Sequence, residues 1–289
     1  MKIESLKLKN FRNYELLSLE FDKATNIFYG DNAQGKTNIL EAVYLSGTTK
    51  SHRGAKDKDL IRFEQNESHI ETVVEKNGIN YQIEMHQKKN SPKGIAINKM
   101  PIRKASELFG IVNIVFFSPE DLNIIKNGPG ERRRFVDLEL SQLDKIYLSN
   151  LANYNRIVNQ RNHLLKEAAY NSDVLKTLDI WDMQLVHYGN LIIQRRQEFV
   201  EQMNEIISGI HNKLTGGKES IRILYEPSNS YLTLEQALNK NKEKDLRIRS
   251  TSVGPHRDDI AFMIGDIDIR KYGSQGQQRT AALSLKLSE

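Results

Sequence analysis

The residues with the clearest chemical promise lie at Gly30-Asp31-Asn32-Ala33-Gln34-Gly35-Lys36-Thr37, a G-x-x-x-x-G-K-T spacing. This is the P-loop pattern, and each residue type in it has a reason. Phosphate oxygens need several N–H donors converging on one point. A backbone supplies them only where it curls tightly, which Gly30 and Gly35 permit because they lack a Cβ. Lys36 then reaches the β- and γ-phosphates of a nucleotide, and the Thr37 hydroxyl is the candidate Mg²⁺ ligand. A helix beginning near Lys36 turns the positive end of its dipole toward the anion.

Such a loop must be held between a strand and a helix. Residues 24–29 are short and rich in β-formers, which predicts the strand. Residues 38–45 predict the helix, with Leu40, Val43 and Tyr44 on one face. Upstream, Ile3, Leu6 and Leu8 alternate with Glu4, Lys7 and Lys9, and Leu17, Leu19 and Phe21 alternate again, so two strands are expected. The polar turn Asn10-Phe11-Arg12-Asn13-Tyr14 between them is either a plain hairpin connection or a place where Arg12 or Asn13 touches the nucleotide.

Residues 48–58 are polar and basic, with Lys50, His52, Arg53 and Lys56. They read as a solvated loop or as one that contacts phosphates of nucleotide or DNA. Residues 68–103 form a meander of three strands with a basic turn at 88–94. Residues 111–117 are apolar and predict a buried strand. The Ser118-Pro119-Glu120-Asp121 that follows reads as a helix start capped by Ser118, not as the acid-ended Walker B strand of a nucleotide site.

From Gly130 to about Leu214 the apolar period becomes helical, through Leu143, Tyr147, Leu151, Tyr154, Val158 and Leu165, then Trp181, Leu185, Tyr188, Ile192, Phe199, Met203, Ile206 and Ile210. Two long antiparallel helices follow, joined through 169–173 and stopped at Gly216-Gly217, with Arg195-Arg196 on their solvated face. Three adjacent guanidiniums at Arg132, Arg133 and Arg134 cannot share one helix face, so at least one is expected to meet a partner or a phosphate. Strands return at 221–225, 260–264 and 267–270, with a charged stretch at 239–244.

The 289 residues carry no cysteine, which excludes disulfides and thiolate metal sites, and a formal net charge of +5, which favours an anionic partner. No apolar run approaches the ~18 residues of a membrane span.

Near the end, Tyr272-Gly273-Ser274-Gln275-Gly276-Gln277-Gln278-Arg279-Thr280 resembles the ABC-type signature Leu-Ser-Gly-Gly-Gln. Ser274, Gly276 and Gln277 match, and Gln275 replaces a glycine. A serine hydroxyl and glycine N–H groups at the start of a helix over 280–287 would form a second phosphate cradle. In that class the cradle acts in trans, on nucleotide bound by a partner's P-loop.

Seven stretches in order resemble the bacterial RecF family of recombination-repair ATPases. They are Leu8-Lys9-Asn10-Phe11-Arg12-Asn13-Tyr14, the P-loop with Asn38, Lys50-Ser51-His52-Arg53, Phe117-Ser118-Pro119-Glu120-Asp121-Leu122, Arg132-Arg133-Arg134-Phe135-Val136-Asp137, Gly254-Pro255-His256-Arg257-Asp258-Asp259 and Ser274-Gln275-Gly276-Gln277-Gln278-Arg279-Thr280.

The resemblance implies an α/β fold, a P-loop NTPase head of ABC type with mixed sheets, helices and an inserted helical lobe. Residues 1–117 and 219–289 would form the head and 118–218 the insert. It implies a cytoplasmic ATPase related to SMC heads that uses ATP and Mg²⁺ and dimerises on ATP. Such a protein binds gapped or single-strand/double-strand junction DNA and, with RecO and RecR, helps load RecA. Its setting is DNA replication, recombination, repair of DNA damage and the SOS response. Lys50, His52, Arg53, Lys56, Arg132, Arg133 and Arg134 are its DNA-binding candidates.

Family members continue past the signature helix into a Walker B strand and a switch loop. No convincing Walker B precedes it here, so a partial chain is expected, with weak nucleotide binding through Lys36 and Thr37 and very poor hydrolysis. Two other readings are a small-molecule P-loop kinase and an SMC-like structural ATPase. The first leaves Ser274–Thr280 and the long helices without a role. The second needs a longer arm than the ~57 Å that about 38 helical residues span.

Overall fold

A computed structural model describes residues 1–168, 170–229 and 232–289, apart from the side chains of Ser172 and Val174. Ala169, at the start of the expected helix connection, lies outside them. The chain divides into two compact units, Met1–Phe116 and Phe117–Glu289.

The first unit is built on a six-stranded antiparallel sheet in the order β2-β1-β3-β4-β5-β6. Its strands are β1 (Lys2–Phe11), β2 (Tyr14–Glu20), β3 (Glu67–Lys76), β4 (Ile79–Lys88), β5 (Ser91–Ile97) and β6 (Met100–Pro101). Alternation puts Leu6, Leu8, Ile70, Val74, Ile83 and Met85 on one buried face. Helix α1 (Lys36–Thr48) covers that face through Ile39, Ala42 and Leu45. Leu40, expected on the same face, is exposed. Phe11, assigned to the polar turn, is fully buried and ends β1, so the hairpin turn shrinks to Arg12 and Asn13.

Two expected strands do not form. Residues 24–29 have no ladder partner among the described residues, and Ile27 and Tyr29 are 78% and 91% exposed. Residues 111–117 likewise run outside any described strand, with Val115 half exposed. β-forming composition is a statement about side chains, whereas a strand needs a neighbour to satisfy its backbone. Ser118 does open a helical turn, its N–H donating to Asp121 Oδ2 at 2.6 Å.

The second unit holds α2 (Leu122–Lys126), α3 (Pro129–Leu143), α4 (Lys145–Glu167) and α5 (Leu178–Thr215), of which α3 and α5 pack on a three-stranded antiparallel sheet, β7-β8-β9, and α4 runs along α5. Those strands are β7 (Ile221–Glu226), β8 (Asp259–Ile264) and β9 (Ile267–Asp268). Helices α6 (Leu234–Ile248), α7 (Ile269–Tyr272) and α8 (Gln275–Leu287) complete it. The helical period resolves into α4 and α5, and α5 ends at Gly216 in the left-handed conformation. Leu143 belongs instead to the exposed end of α3, and Ile206 is half exposed because Met203 and Ile207 carry the stripe.

The charged stretch at 239–244 is the outer face of α6. Its start carries a capping box, with Thr233 Oγ1 accepting from Gln236 N–H at 3.2 Å. Residues 269–270, read as strand, begin α7 because the Asp268 carboxylate caps Arg270 N–H.

The clearest correction concerns Arg196, expected in solvent and found 2% exposed. Its guanidinium donates to Asp137 Oδ1 at 2.7 Å, to Tyr147 Oη at 3.0 Å and to the Pro255 carbonyl at 2.7 Å. Arg195, one position along, pairs at the surface with Asp144. A charged residue enters a core when its donors are met there, and composition does not reveal that. Arg161 is also fully buried, its Nε and Nη1 met by Asp182, Asp245 and Thr251 while its Nη2 stays without a partner among the described residues.

Candidate functional site

The P-loop begins where the extended chain at 24–29 reaches Gly30 (φ 137°) and closes at Gly35 (φ 99°), with Ala33 also left-handed at φ 65°. Gly35 accepts the first helical hydrogen bonds of α1, from Asn38 N–H at 2.7 Å and Ile39 N–H at 3.2 Å. A Cβ on Gly35 would lie 2.6 Å from Asn13 Nδ2 and 2.8 Å from Tyr14 Oη. Only glycine satisfies both that torsion and that contact. Asn13 and Tyr14 both donate to the Gln34 carbonyl, at 3.2 and 3.3 Å, so the hairpin turn clamps the back of the loop.

No side chain caps the N-terminus of α1, and its first turn carries no acid. Its backbone donors therefore point outward with the helix dipole behind them. Lys36 reaches back across the mouth, donating to the carbonyls of Gly30 at 2.7 Å and Asp31 at 2.6 Å. Asp31, Asn32, Ala33, Gln34 and Thr37 are exposed around it. Outward backbone donors, an ammonium and an exposed hydroxyl at the first helical turn form the donor set that a nucleotide triphosphate with a divalent cation requires.

Arg12, next to Asn13 in the same turn, engages α1. Its guanidinium forks onto Glu41 of α1, at 2.8 and 2.7 Å, and its remaining arm donates to the Asp59 carbonyl. Glu41 has no solvent exposure and also accepts from Ser51 Oγ at 2.5 Å, with Arg53 at 3.9 Å. Burial pushes the Glu41 carboxyl up. The hydrogen bonds of Arg12 and Ser51 and the charges of Arg12 and Arg53 outweigh that and hold it below the ordinary carboxylate range. Sequence reasoning missed this acid, although one glutamate inside the apolar run Ile39–Leu45 was a visible signal.

In the basic loop, Lys50, Arg53 and Lys56 are exposed, while the His52 ring packs on Phe116 with centroids 4.3 Å apart. Arg53 Nη1 donates to Asn38 Oδ1 at 3.3 Å, and Asn38 Nδ2 donates to Asn13 Oδ1 at 2.8 Å. The loop is thus tied to the P-loop by a chain of side chains.

In the second unit, Arg132 is 2% exposed, pairing with Asp259 at 2.7 Å and donating to the Asn127 carbonyl, so its charge is met inside the fold. Arg133 donates to the Asp258 carbonyl at 2.6 Å, and the neighbouring Arg134 is the exposed member of the three.

Ser274, Gln275 and Gly276 are exposed at the start of α8, which begins five residues before the expected Thr280. Ser274 Oγ accepts from Gln277 N–H at 3.2 Å and Gln277 Oε1 accepts from Ser274 N–H at 2.9 Å, a reciprocal cap. Gln277 Nε2 also donates to Glu219 at 2.9 Å, which fixes the turn to the unit. A Cβ on Gly276 would meet only Ser274 Oγ, at 3.8 Å, so the fold itself leaves room there for a side chain.

A family model described as an AAA domain matches residues 5–247. A DNA replication and repair protein RecF of Agathobacter rectalis is 64% identical over the whole chain, which covers 80% of that protein. The RecF protein of Lachnospira eligens is 61% identical with the same coverage. A solved structure of the recombination mediator protein RecF-ATP in the RecFOR pathway superposes with a TM-score of 0.94 at 36% identity, over 99% of this chain and 79% of that one. An SMC head bound to the C-terminal winged-helix domain of ScpA, at 15% identity and a TM-score of 0.54, shares the fold alone. The fold is that of a P-loop ATPase head.

Proposed function

The chain belongs to the RecF family of DNA replication and repair proteins, and from that premise we propose that Gly30–Thr37 binds ATP and that the bound nucleotide governs the hold on DNA. The observation that carries this is the uncapped start of α1, with Lys36 laid across the loop mouth. Backbone N–H groups of the loop would take the β-phosphate, Lys36 would exchange its two carbonyl contacts for phosphate oxygens, and Asn13 and Tyr14 would keep the loop curled. Mg²⁺, with Thr37 as its protein ligand, would neutralise charge on the β- and γ-phosphates.

Ser274, Gln275, Gly276 and Gln277 would serve the γ-phosphate held by a second copy, giving an ATP-dependent homodimer. Their exposure on a rigidly capped helix start supports that, as does the empty space beside Gly276. Lys50, His52, Arg53, Lys56 and Arg134 are proposed to meet DNA phosphates, the preferred substrate being gapped or junction DNA. Arg132 and Arg133 would support Arg134 from inside the second unit. RecR and RecO would be partners, with RecA loading as the outcome in the cytoplasm. Among the described residues no helix is long and apolar enough to cross a membrane.

The test is sedimentation with and without Mg²⁺-ATP, alongside binding of a fluorescent ATP analogue. Wild type should bind nucleotide and shift toward dimer, and Lys36→Ala should do neither. Analogue binding that survives Lys36→Ala unchanged would refute the P-loop assignment.

A further inference from the structure

A carboxylate without solvent exposure, on the helix that opens with the P-loop, calls for an explanation beyond stability. Replacing a buried ion pair by apolar side chains is often neutral or stabilising, so packing alone gives no reason for Glu41. Its contacts give one. Glu41 Oε1 accepts from Arg12 of the hairpin turn at 2.7 Å and from Ser51 of the basic loop at 2.5 Å. Oε2 takes Arg12 Nε at 2.8 Å. Ser51 Oγ accepts in turn from Arg53 N–H at 3.1 Å, which sets the backbone that carries Arg53.

A second, outer link runs parallel one helical turn earlier, from the Gln34 carbonyl through Asn13 and Asn38 to Arg53. The hairpin turn, α1 and the basic loop are thereby joined by charge-assisted bonds at Glu41, which are short and directional, and neutral amide bonds through Asn13 extend the link to the P-loop.

We infer that Glu41 is a positioning residue that couples the P-loop to the Ser51–Arg53 segment, so that nucleotide at the loop fixes the pose of the basic side chains beside it. The inference rests on the ATP site proposed above. Ser51 is the joint through which the coupling passes, because it is the residue of the basic loop that donates directly to the buried acid. Removing its hydroxyl leaves the Arg12–Glu41 pair whole.

The experiment uses the full chain and three variants, Ser51→Ala, Glu41→Gln and Lys36→Ala. Analogue binding is measured first, then hydrogen–deuterium exchange of residues 50–54 with and without Mg²⁺-ATP. Wild type should show protection of that segment by ATP of at least about tenfold, the equivalent of one charge-assisted hydrogen bond. Ser51→Ala should bind the analogue within about threefold of wild type and lose the protection, and Glu41→Gln should lose it too.

Ser51→Ala that melts lower yet keeps the protection marks a merely structural contact and overturns the inference. Wild type that binds ATP without protecting 50–54 overturns it while leaving the ATP site standing. Wild type that binds no ATP removes both readings together.

Discussion

Arg196→Met is the sharpest probe of the second unit. Methionine fills the space of the stem but carries no donor. The Asp137 carboxylate would keep only the Tyr147 hydroxyl, at 2.5 Å, and the Pro255 carbonyl would lose the donor that meets it at 2.7 Å. Removing one partner of a buried ion pair costs about 3–5 kcal/mol. Asp137 keeps 24% of its side-chain surface in water, which places the expected loss at the lower end, about 3 kcal/mol.

For a unit of this size that is a fall in Tm of about 6–12 °C. Trp181, the one tryptophan of the chain, lies in α5 against the core of this unit, so its emission during a urea titration reports this unit. Asp137→Asn on top of Arg196→Met should then cost less than about 1 kcal/mol more, because the pair is already broken. A single-variant loss below about 1 kcal/mol, or full additivity in the cycle, would show that Arg196 is held by packing alone.

Four further outcomes follow from the same geometry. His256 accepts from Tyr154 Oη at 2.7 Å and reaches the Thr251 carbonyl at 3.2 Å, and burial, with the charges of Arg257 and Arg133, holds it down to about 4. Its folded value lies below the unfolded value of 6.5, so its contribution is present above pH 6.5 and lost as pH falls toward 4, by about 3 kcal/mol in all. The difference between wild type and His256→Gln isolates this, since burial raises Glu139 to about 7 and gives an opposite slope that cancels; a pH-independent difference would contradict it. Gly35→Ala should lower analogue affinity by about 2 kcal/mol or more, from left-handed strain and displacement of Asn13 and Tyr14, and titration within threefold of wild type would dismiss the clamp. Ser274→Ala should cost about 1 kcal/mol of stability through its cap, whereas Ser274→Arg should block ATP-dependent dimerisation with nucleotide binding intact, and a dimer formed by Ser274→Arg would remove the signature from the interface.

Much of this molecule was legible in its sequence where the signal is local. The P-loop spacing, the alternation of Leu6 and Leu8 and the helical period from Leu185 to Met203 each name an element with its buried face. What stayed hidden depends on distant neighbours. Residues 24–29 and 111–117 have strand composition but no described ladder partner, and only topology decides that. Arg196 reads as surface charge because its acceptor Asp137 lies 59 positions away, and the burial of Arg132 and Arg161 rests on Asp259 and Asp245, 127 and 84 positions away. At the site, the loop residues were named in advance. The clamp by Asn13 and Tyr14 and the buried role of Glu41 were not, because they arise from the packing of a hairpin turn on a helix.

The same long-range arginine and histidine ties bear on how the chain acquires its structure. In the first unit β3, β4 and β5 pair through short turns, and β1 with β2 likewise, while the β1–β3 ladder joins residues 60 to 73 positions apart, from Lys9 with His69 to Lys2 with Glu75. In the second, Tyr154 meets His256 across 102 positions and Arg132 meets Asp259 across 127. Closing segments of that length costs more conformational entropy than pairing the neighbouring helices α4 and α5. During synthesis the segment 254–259 leaves the ribosome last among these partners. Until it arrives, Arg132 lacks its Asp259 partner and Arg196 lacks the Pro255 carbonyl, while Asp137 and Tyr147 are already at hand for Arg196.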